Sequence, residues 1–328
     1  MMNTDVIIIG GGPCGLAAGL SLKKAGIQAT IIEKGNIAHT IYRYPTHQTF
    51  FSSADKLEIG GYPFVHEERK PRKIHALTYY REVVKRSGLS IASYETAVNI
   101  DRSESGFNVT SKKSDGSIIE YTCRAVVLAT GYYDHPNMMN VPGEDLPHVF
   151  HYFKEGHPFF DKDIAVIGGK NSAIDTALEL QKCGARPHVF YRGSAYSPSI
   201  KPWVLPDFEA CVKNGQINMS FNSEVIEIRK DGILVSVNGT EKFFSCEYCF
   251  AMTGYHPDHT FLKKAGVKFD QDTGRPVYHP ETMETSVHNV FIAGVIAAGN
   301  NANEIFIENG RFHGDSISAC LQDRWNRT

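Results

Sequence analysis

The sequence lacks an excess of either charge, and it lacks an apolar run of membrane-spanning length. Its 34 Lys and Arg residues nearly balance 36 Asp and Glu residues, which leaves a formal net charge of −2. A chain with this balance has no general attraction for nucleic acid or for an anionic membrane surface. A membrane-spanning helix takes about 20 mostly apolar residues, which no stretch of the sequence supplies. We therefore expect a small-molecule partner, with no nucleic acid and no membrane.

The sequence also lacks a cysteine pattern that would suggest a disulfide scaffold. Its seven cysteines are an odd, scattered set in a chain of 328 residues, 42% of them hydrophobic, which is long enough to build a core without disulfides. We expect a reducing, cytoplasmic compartment. The amino terminus fits this location, because Asp5 precedes the apolar run "VIIIG" and no basic segment precedes it, unlike a signal peptide.

One Cys-x-x-Cys motif is present, at Cys246 and Cys249. It leads directly into the apolar run "FAMTG", so we expect both cysteines on one strand, where alternation directs them to opposite faces. A zinc site would take a second pair of ligands at metal-ligand spacing, which the sequence does not have. We predict neither a redox pair nor a metal site here, and no metal site elsewhere.

A glycine-rich loop follows the first apolar segment, in "DVIIIGGGPCGLAAGLSLKKAGIQATIIEK". The stretch predicts a strand, a loop with Gly10, Gly12 and Gly15 spaced as GxGxxG, a helix, and a second strand that ends at Glu33. In this pattern the glycines allow a tight turn, close approach of a pyrophosphate and close packing of the helix. The helix amino terminus attracts phosphate, and Glu33 is placed to accept hydrogen bonds from a ribose diol.

A second unit of the same kind lies in "DKDIAVIGGKNSAIDTALELQKCGARPHVFYRG". It predicts strands over 164–167 and 188–191 with a loop and helix between them. The predicted phosphate-binding residues of this loop are Gly168, Gly169, Lys170, Asn171, Ser172 and Ala173. Lys170 replaces the middle glycine of the pattern and can itself meet a phosphate. Arg192 stands where an acid would bind a free 2′-hydroxyl, so we predict NADPH and not NADH, with Lys201 as a second cation.

Three further apolar runs end on glycine, in "VVLATGYYDHP", "CFAMTGYHPD" and "NVFIAGV". Such strand-to-glycine segments are typical of a chain that leaves one domain, builds a second and returns. We predict an α/β fold with two Rossmann-like dinucleotide-binding domains. The first is discontinuous, over 1–140 and 257–328, and the second is inserted between its parts, over 141–256.

On these motifs the sequence resembles the two-dinucleotide flavoprotein reductases, whose familiar members are the low-molecular-weight thioredoxin reductases. The resemblance spans nearly the whole chain and implies a thioredoxin-reductase-like fold, FAD on the first loop, NADPH on the second, and a homo-oligomer. The FAD-binding residues that it implies are Gly10, Gly12, Pro13, Cys14, Gly15, Glu33, Lys34, Gln48, Ala129, Thr130 and Gly131. It also implies adenine near the backbone of Val98 and the flavin beside Gly294 and Val295, although the family usually has Asp where Val295 stands.

The redox-active cysteine pairs of the related reductases are missing from this sequence. Neither the region before the second glycine loop nor the region after the first helix and strand contains a pair. The segments "GGGPCG", "GGKNSA" and "GVIAAG" resemble the bacillithiol-disulfide reductases of low-GC Gram-positive bacteria. That resemblance implies reduction of a low-molecular-weight thiol disulfide in thiol redox homeostasis, with Cys14 as the active thiol.

Two opposed effects act on the Cys14 thiol. The positive end of the helix dipole lowers a thiol pKa, while a bound pyrophosphate raises it. The sequence leaves open which effect is larger, and it leaves open whether Cys14 is only a small residue that the loop tolerates.

Three further functions are compatible with this scaffold. "FHYFKEGHPFFDKDIAVIGG" is similar to the spacing of flavin monooxygenases, which oxygenate a heteroatom. A ferredoxin or flavodoxin–NADP reductase is the second such function, and a slowly turning flavin redox sensor is the third. Turnover with a disulfide, with oxygen alone, or with ferredoxin distinguishes them.

Overall fold

The computed structural model describes residues 2–301 and 304–326. Contacts between Cα atoms divide the chain into two compact units. The first unit comprises Met1–His135 and Tyr255–Thr328, and the second comprises Pro136–Gly254. That the first unit binds FAD and the second binds NADPH stays a prediction.

The strands of the described residues are mostly short and apolar. In chain order they are β1 (Met2–Asn3), β2 (Val6–Ile9), β3 (Ala29–Glu33), β4 (Ser90–Ser93), β5 (Glu95–Ser103), β6 (Gly106–Lys113), β7 (Ile118–Cys123), β8 (Ala125–Leu128), β9 (His135–Pro136), β10 (Val149–Phe150), β11 (Asp163–Ile167), β12 (Arg186–Phe190), β13 (Asn218–Ser220), β14 (Ser223–Arg229), β15 (Gly232–Val237), β16 (Thr240–Ser245), β17 (Tyr248–Ala251), β18 (Tyr255–His256) and β19 (Val290–Ile292).

The helices include two that follow the glycine loops. In chain order they are α1 (Pro13–Lys24), α2 (His39–Arg43), α3 (Ala54–Leu57), α4 (Lys73–Ser87), α5 (Asn171–Lys182), α6 (Leu205–Lys213), α7 (His259–Lys264), α8 (Ile307–Gly310) and α9 (His313–Asn326). Short 3₁₀ turns occupy His157–Phe159 and Val295–Ala298.

The first unit contains a five-stranded parallel sheet in the order β19-β8-β2-β3-β4. All four residues of β2 are buried, as a central strand covered on both faces requires. A second sheet of four strands has the order β1-β7-β6-β5. This arrangement places the ends of β2, β3, β8 and β19 along one edge of the parallel sheet, where open α/β sheets bind ligands.

The second unit repeats the plan. Its parallel sheet has the order β10-β17-β11-β12-β13, and the strands β14-β15-β16 form an antiparallel sheet. Here β11 precedes the second glycine loop, as β2 precedes the first. The α/β class that the sequence predicts is therefore confirmed, with a parallel sheet behind each glycine loop.

Two local predictions differ from the structure. The second strand of the inserted unit ends at Phe190, so Tyr191 lies in the loop beyond it. The prediction for the Cys-x-x-Cys motif is wrong in geometry, because Cys246 precedes β17 and both cysteines pack into one buried apolar cluster. The chain changes sheets at this motif: the N–H of Cys246 donates to Asp231, while the next N–H donates to Asp163 on β11.

Candidate functional site

The first glycine loop is built so that only glycine fits two of its positions. Gly10 has φ +110°, and a Cβ there would overlap the carbonyl oxygen of Ala129. A Cβ on Gly15 would overlap the carbonyl oxygen of Gly10. A Cβ on Gly12, in contrast, would meet no atom within 4 Å. Gly12 therefore borders open space, which is the feature that a phosphate-binding loop requires.

The amino terminus of α1 faces that open space. Gly12 is the residue that caps the helix, and Pro13 occupies its first turn, where a missing N–H costs nothing. The first hydrogen bond of the helix runs from the N–H of Leu16 to the carbonyl of Gly12. The N–H groups of Cys14 and Gly15 come before it in the chain, where N–H groups have no acceptor within the helix. The first turn contains no acidic residue. These features suit an anionic pyrophosphate.

Glu33 is held in place at the end of β3. Its carboxylate accepts the N–H of Gly11 at 2.7 Å and the N–H of Gly35 at 2.8 Å, and the residue is only 7% exposed. Two backbone donors leave lone pairs free on both oxygens. The carboxylate is thus oriented beside the loop and can still accept hydrogen bonds from a ribose diol.

The end of β8 supplies an unsatisfied polar atom beside the same loop. The hydroxyl oxygen of Thr130 is buried and has no hydrogen-bond partner within residues 2–301 and 304–326. Ala129 packs against Gly10 and Gly15, and Gly131 has φ +70°. A buried hydroxyl without a partner costs free energy, which a bound cofactor would recover. This orphaned group, the space at Gly12 and the oriented Glu33 together fit a dinucleotide such as FAD.

Three other predicted FAD-binding residues lie in less specific settings. The ammonium of Lys34 pairs with Asp134 at 2.6 Å, and the side-chain amide of Gln48 donates to the carbonyl of Thr49. Val98 lies on β5 at a break in strand register between Ala97 and Asn99. A residue at such a bulge is not paired across the ladder, which suits a backbone contact with adenine. Cofactor contacts of these three residues stay predictions.

Cys14 lies in a tight space between two glycines from the carboxyl-terminal part of the chain. A Cβ on Gly294 or on Gly310 would approach its Sγ to 3.0 Å. Burial raises the pKa of the Cys14 thiol to about 12. Desolvation by the packing around the sulfur is the cause of this rise, whose direction the sequence left open. The residue as a whole is half-buried.

Gly294 connects the Cys14 region to α9. Its φ of +82° and ψ of −158° belong to a region that only glycine populates readily. Its N–H donates to Nδ1 of His313 at 3.1 Å, and burial lowers the pKa of His313, which keeps that nitrogen free to accept. Val295 begins the following 3₁₀ turn and carries no carboxylate. The sequence does not single out His313, because fourteen histidines give no signal for one of them.

The second glycine loop has the same construction. Gly168 has φ +136°, and a Cβ there would lie 2.5 Å from the carbonyl oxygen of Met252, just as Gly10 meets Ala129. A Cβ on Gly169 would overlap the ring of Tyr191. The ring of Tyr191 therefore packs over this loop. The sequence does not predict this contact, because it depends on β12 ending at Phe190. Ala173 is buried at the base of α5.

The polar residues of the second loop are brought to the start of α5. Lys170 caps the helix and is exposed, and Ser172 is exposed in its first turn. Asn171 donates from its amide nitrogen to the carbonyl of Ser199 at 2.9 Å and accepts the N–H of Lys201 at 2.9 Å. The structure thus joins Lys201 to the loop through Asn171.

Arg192 lies two residues beyond β12 and is exposed. A phosphate contact by this guanidinium stays a prediction, as do phosphate contacts by Lys170 and Lys201. Across the part of the chain that the structure describes, no group of three or more His, Cys, Asp or Glu side chains could hold a metal ion. In the same residues, no helix has both the length and the apolar character of a membrane span.

Comparison with known proteins places these features in a wider group. Residues 7–294 match the pyridine nucleotide-disulphide oxidoreductase family. A relative called bacilliredoxin reductase Bdr, from Bacillus subtilis (strain 168), is 58% identical over 99% of this chain and 100% of its own. The solved structure of bacillithiol disulfide reductase Bdr from Bacillus cereus is 58% identical, with a TM-score of 0.97 over 98% of this chain and 100% of its own.

A thioredoxin reductase from T. acidophilum, 20% identical, has a TM-score of 0.77 over 99% of this chain and 100% of its own, and shares the fold. A ferredoxin–NADP reductase from Ignicoccus hospitalis is 26% identical over 89% of this chain and 90% of its own, and flavin-containing monooxygenase FMO GS-OX3 from Arabidopsis thaliana is 24% identical over 84% of this chain and 65% of its own.

Proposed function

Because the chain belongs to the pyridine nucleotide-disulphide oxidoreductase family, we propose that it reduces a low-molecular-weight thiol disulfide, bacillithiol disulfide, with electrons from NADPH passed through FAD. One observation carries this proposal: nearly the whole chain matches a solved bacillithiol disulfide reductase at 58% identity. The monooxygenases and ferredoxin reductases are far less similar, and turnover with different electron acceptors separates their activities from disulfide reduction.

The first loop is the proposed FAD site and the second the proposed NADPH site. Bound FAD supplies the two-electron chemistry that connects a hydride donor to a disulfide. The amino terminus of α1 would hold the pyrophosphate, Glu33 the ribose, and Thr130 a polar atom of the same group. Lys170, Lys201 and Arg192 would bind the phosphates of NADPH.

The proposed role of Cys14 is to open the substrate disulfide. Its thiolate attacks one sulfur, which forms a mixed disulfide with Cys14 and releases the first thiol as its thiolate. Two electrons and a proton then cleave the mixed disulfide, release the second thiol and restore Cys14. The support for this role is the family resemblance and the position of Cys14 on the phosphate-binding turn. Cys246 and Cys249 are at most 6% exposed, which argues against either as the redox centre.

The reducing, cytoplasmic compartment that the cysteine pattern predicts and the homo-oligomer that the resemblance implies belong to the same proposal. All seven cysteines are free thiols in the structure, which supports a cytoplasmic setting.

The deciding experiment follows NADPH oxidation by the purified, FAD-loaded protein with three acceptors in separate reactions. We expect bacillithiol disulfide to raise the rate well above that with oxygen alone, with two thiols formed per NADPH consumed. Equal rates with and without the disulfide would overturn the proposal. Faster turnover with ferredoxin would favour a ferredoxin–NADP reductase. Oxygen consumption that requires a substrate with an oxidisable heteroatom, and that produces no hydrogen peroxide, would favour a monooxygenase.

Replacing Arg192 with alanine should change the choice of nucleotide. We expect kcat/KM for NADPH to fall roughly tenfold, the effect of losing a charge-assisted contact of about 1.4 kcal/mol, with kcat/KM for NADH unchanged. The matched control is Arg229→Ala, which removes another arginine of the second unit that pairs with Glu227. An equal loss for NADPH and NADH would contradict a 2′-phosphate contact.

A further inference from the structure

The Cys14 sulfur is covered by a short segment that precedes α9. We call residues 307–312, which contain α8, the cover segment. Its Gly310 has no side chain, and a Cβ there would lie 3.0 Å from Cys14 Sγ and 3.1 Å from the Cα of Gly294. The thiol therefore packs directly against the backbone of the cover segment. On this side of the sulfur, the cover segment occupies the position that an approaching disulfide would take.

Arg311, the residue after Gly310, fastens the cover segment to α3. One nitrogen of its guanidinium donates to the carbonyl of Asp55 at 2.8 Å and to the carbonyl of Glu58 at 2.7 Å. Asp55 is the second residue of the four-residue helix α3, and Glu58 caps its carboxyl terminus. In so short a helix these carbonyls need donor partners from outside, because the last four carbonyls of a helix have none within it. Because Arg311 and Gly310 are adjacent, these two bonds also fix the position of Gly310 over the sulfur.

The base of this attachment is itself anchored. The hydroxyl of Tyr80 on α4 donates to the carbonyl of Leu57, the last residue of α3, at 3.0 Å, and Tyr80 is fully buried. A weaker contact joins the same two segments, since Lys56 approaches Glu308 at 3.8 Å on the surface. An exposed pair of this kind contributes little. Of these polar contacts between α3 and the cover segment, the charged bonds of Arg311 are therefore the stronger.

The closed position carries a cost at the same arginine. Nε of Arg311 is buried and has no hydrogen-bond partner in the described parts of the chain. A buried donor without a partner opposes the arrangement that buries it. The two hydrogen bonds of the guanidinium must outweigh the cost of the unpartnered Nε. The stability of the closed position therefore depends on the Arg311 side chain.

We propose that Arg311 is a positioning residue that holds the cover segment closed over Cys14, and that release of Arg311 from α3 uncovers the thiol. The covering itself is independent of the enzyme's activity. The consequence for catalysis, that the substrate disulfide reaches Cys14 only in the released arrangement, rests on the proposed function.

The test measures alkylation of Cys14 by iodoacetamide in the FAD-loaded protein, without NADPH and without disulfide, by mass spectrometry of each cysteine. We expect Arg311→Ala to speed alkylation of Cys14 about tenfold. Arg311→Lys should fall between Arg311→Ala and the unaltered protein, because an ammonium can still donate to the same carbonyls. Cys123 on β7 and Cys249 on β17 are 4% and 0% exposed, so both should still be alkylated slowly.

The control variant is Arg324→Ala, which removes an arginine clamp on α9 that binds Glu284 at 2.8 Å. It should leave Cys14 alkylation unchanged. An unchanged Cys14 rate in Arg311→Ala, or an equal increase at Cys14, Cys123 and Cys249, would overturn the inference. Faster alkylation of Cys14 without any effect on disulfide turnover would support the role of the cover segment, and it would contradict the proposed reaction of Cys14 with the substrate disulfide.

Discussion

Replacing Cys14 with alanine is expected to lower disulfide-dependent NADPH oxidation on the order of a hundredfold or more, as loss of a reacting group does in other enzymes. FAD content and the reduction of FAD by NADPH should stay unchanged, because alanine keeps the backbone N–H of residue 14 and leaves Gly12 and Glu33 untouched. The measurement is steady-state turnover with bacillithiol disulfide, together with the flavin absorbance before and after NADPH is added.

The same substitution should be mild for stability. Alanine keeps the Cβ of Cys14 and removes only the sulfur that lies against Gly294 and Gly310. A gap of that size costs roughly 1 kcal/mol of the free energy of unfolding. The control is Cys320→Ala, which alters another half-buried cysteine of the first unit and should leave turnover intact. Full disulfide turnover in Cys14→Ala would show that Cys14 is a packing residue.

The pH dependence offers a second view of the same thiol. With its pKa raised to about 12, Cys14 is protonated at neutral pH, and its thiolate fraction grows about tenfold for each pH unit up to that value. If attack by Cys14 limits turnover, the rate should rise with pH without a plateau between about pH 7 and 10. A plateau near pH 8 would mean that another group limits the rate, or that the bound state lowers the pKa of Cys14.

Replacing Gly12 with alanine should strongly weaken FAD binding without weakening the fold. The added Cβ would meet no protein atom within 4 Å, so the apoprotein should unfold at nearly the same denaturant concentration. The methyl group would instead occupy the space that a pyrophosphate takes beside the start of α1. We expect the purified variant to be colourless and its affinity for added FAD to fall by about a hundredfold or more, the effect of about 2.7 kcal/mol.

The comparison variant is Gly10→Ala, which should fail for a different reason. A side chain there overlaps the carbonyl of Ala129, and φ of +110° is strained for any L residue. This variant should lose both FAD and stability, measured by chemical denaturation of the apoprotein. If Gly12→Ala keeps its FAD, the first loop is not the pyrophosphate site.

Much of the fold could be predicted from local patterns. Apolar strands before "GGGPCG" and "GGKNSA" lead into helices, and the structure has β2 and α1, then β11 and α5, at those places. The signal is strong because a strand, a turn that only glycine fits and a helix lie within about thirty residues, so each restricts the next. The strand boundary at Phe190 and the setting of Cys246 were less predictable, because pairing with distant segments decides where a strand begins and ends.

The sequence by itself determined the α/β class, the two glycine loops, the placement of Glu33 after the first loop and the absence of a redox cysteine pair where related reductases have one. Only the tertiary structure decided the state of Cys14. Its neighbours Gly294 and Gly310 are nearly the length of the chain away, and they bury a thiol that the adjacent helix alone would have activated. The physical reason is that a helix dipole acts through local backbone, whereas desolvation depends on every segment that packs against the sulfur.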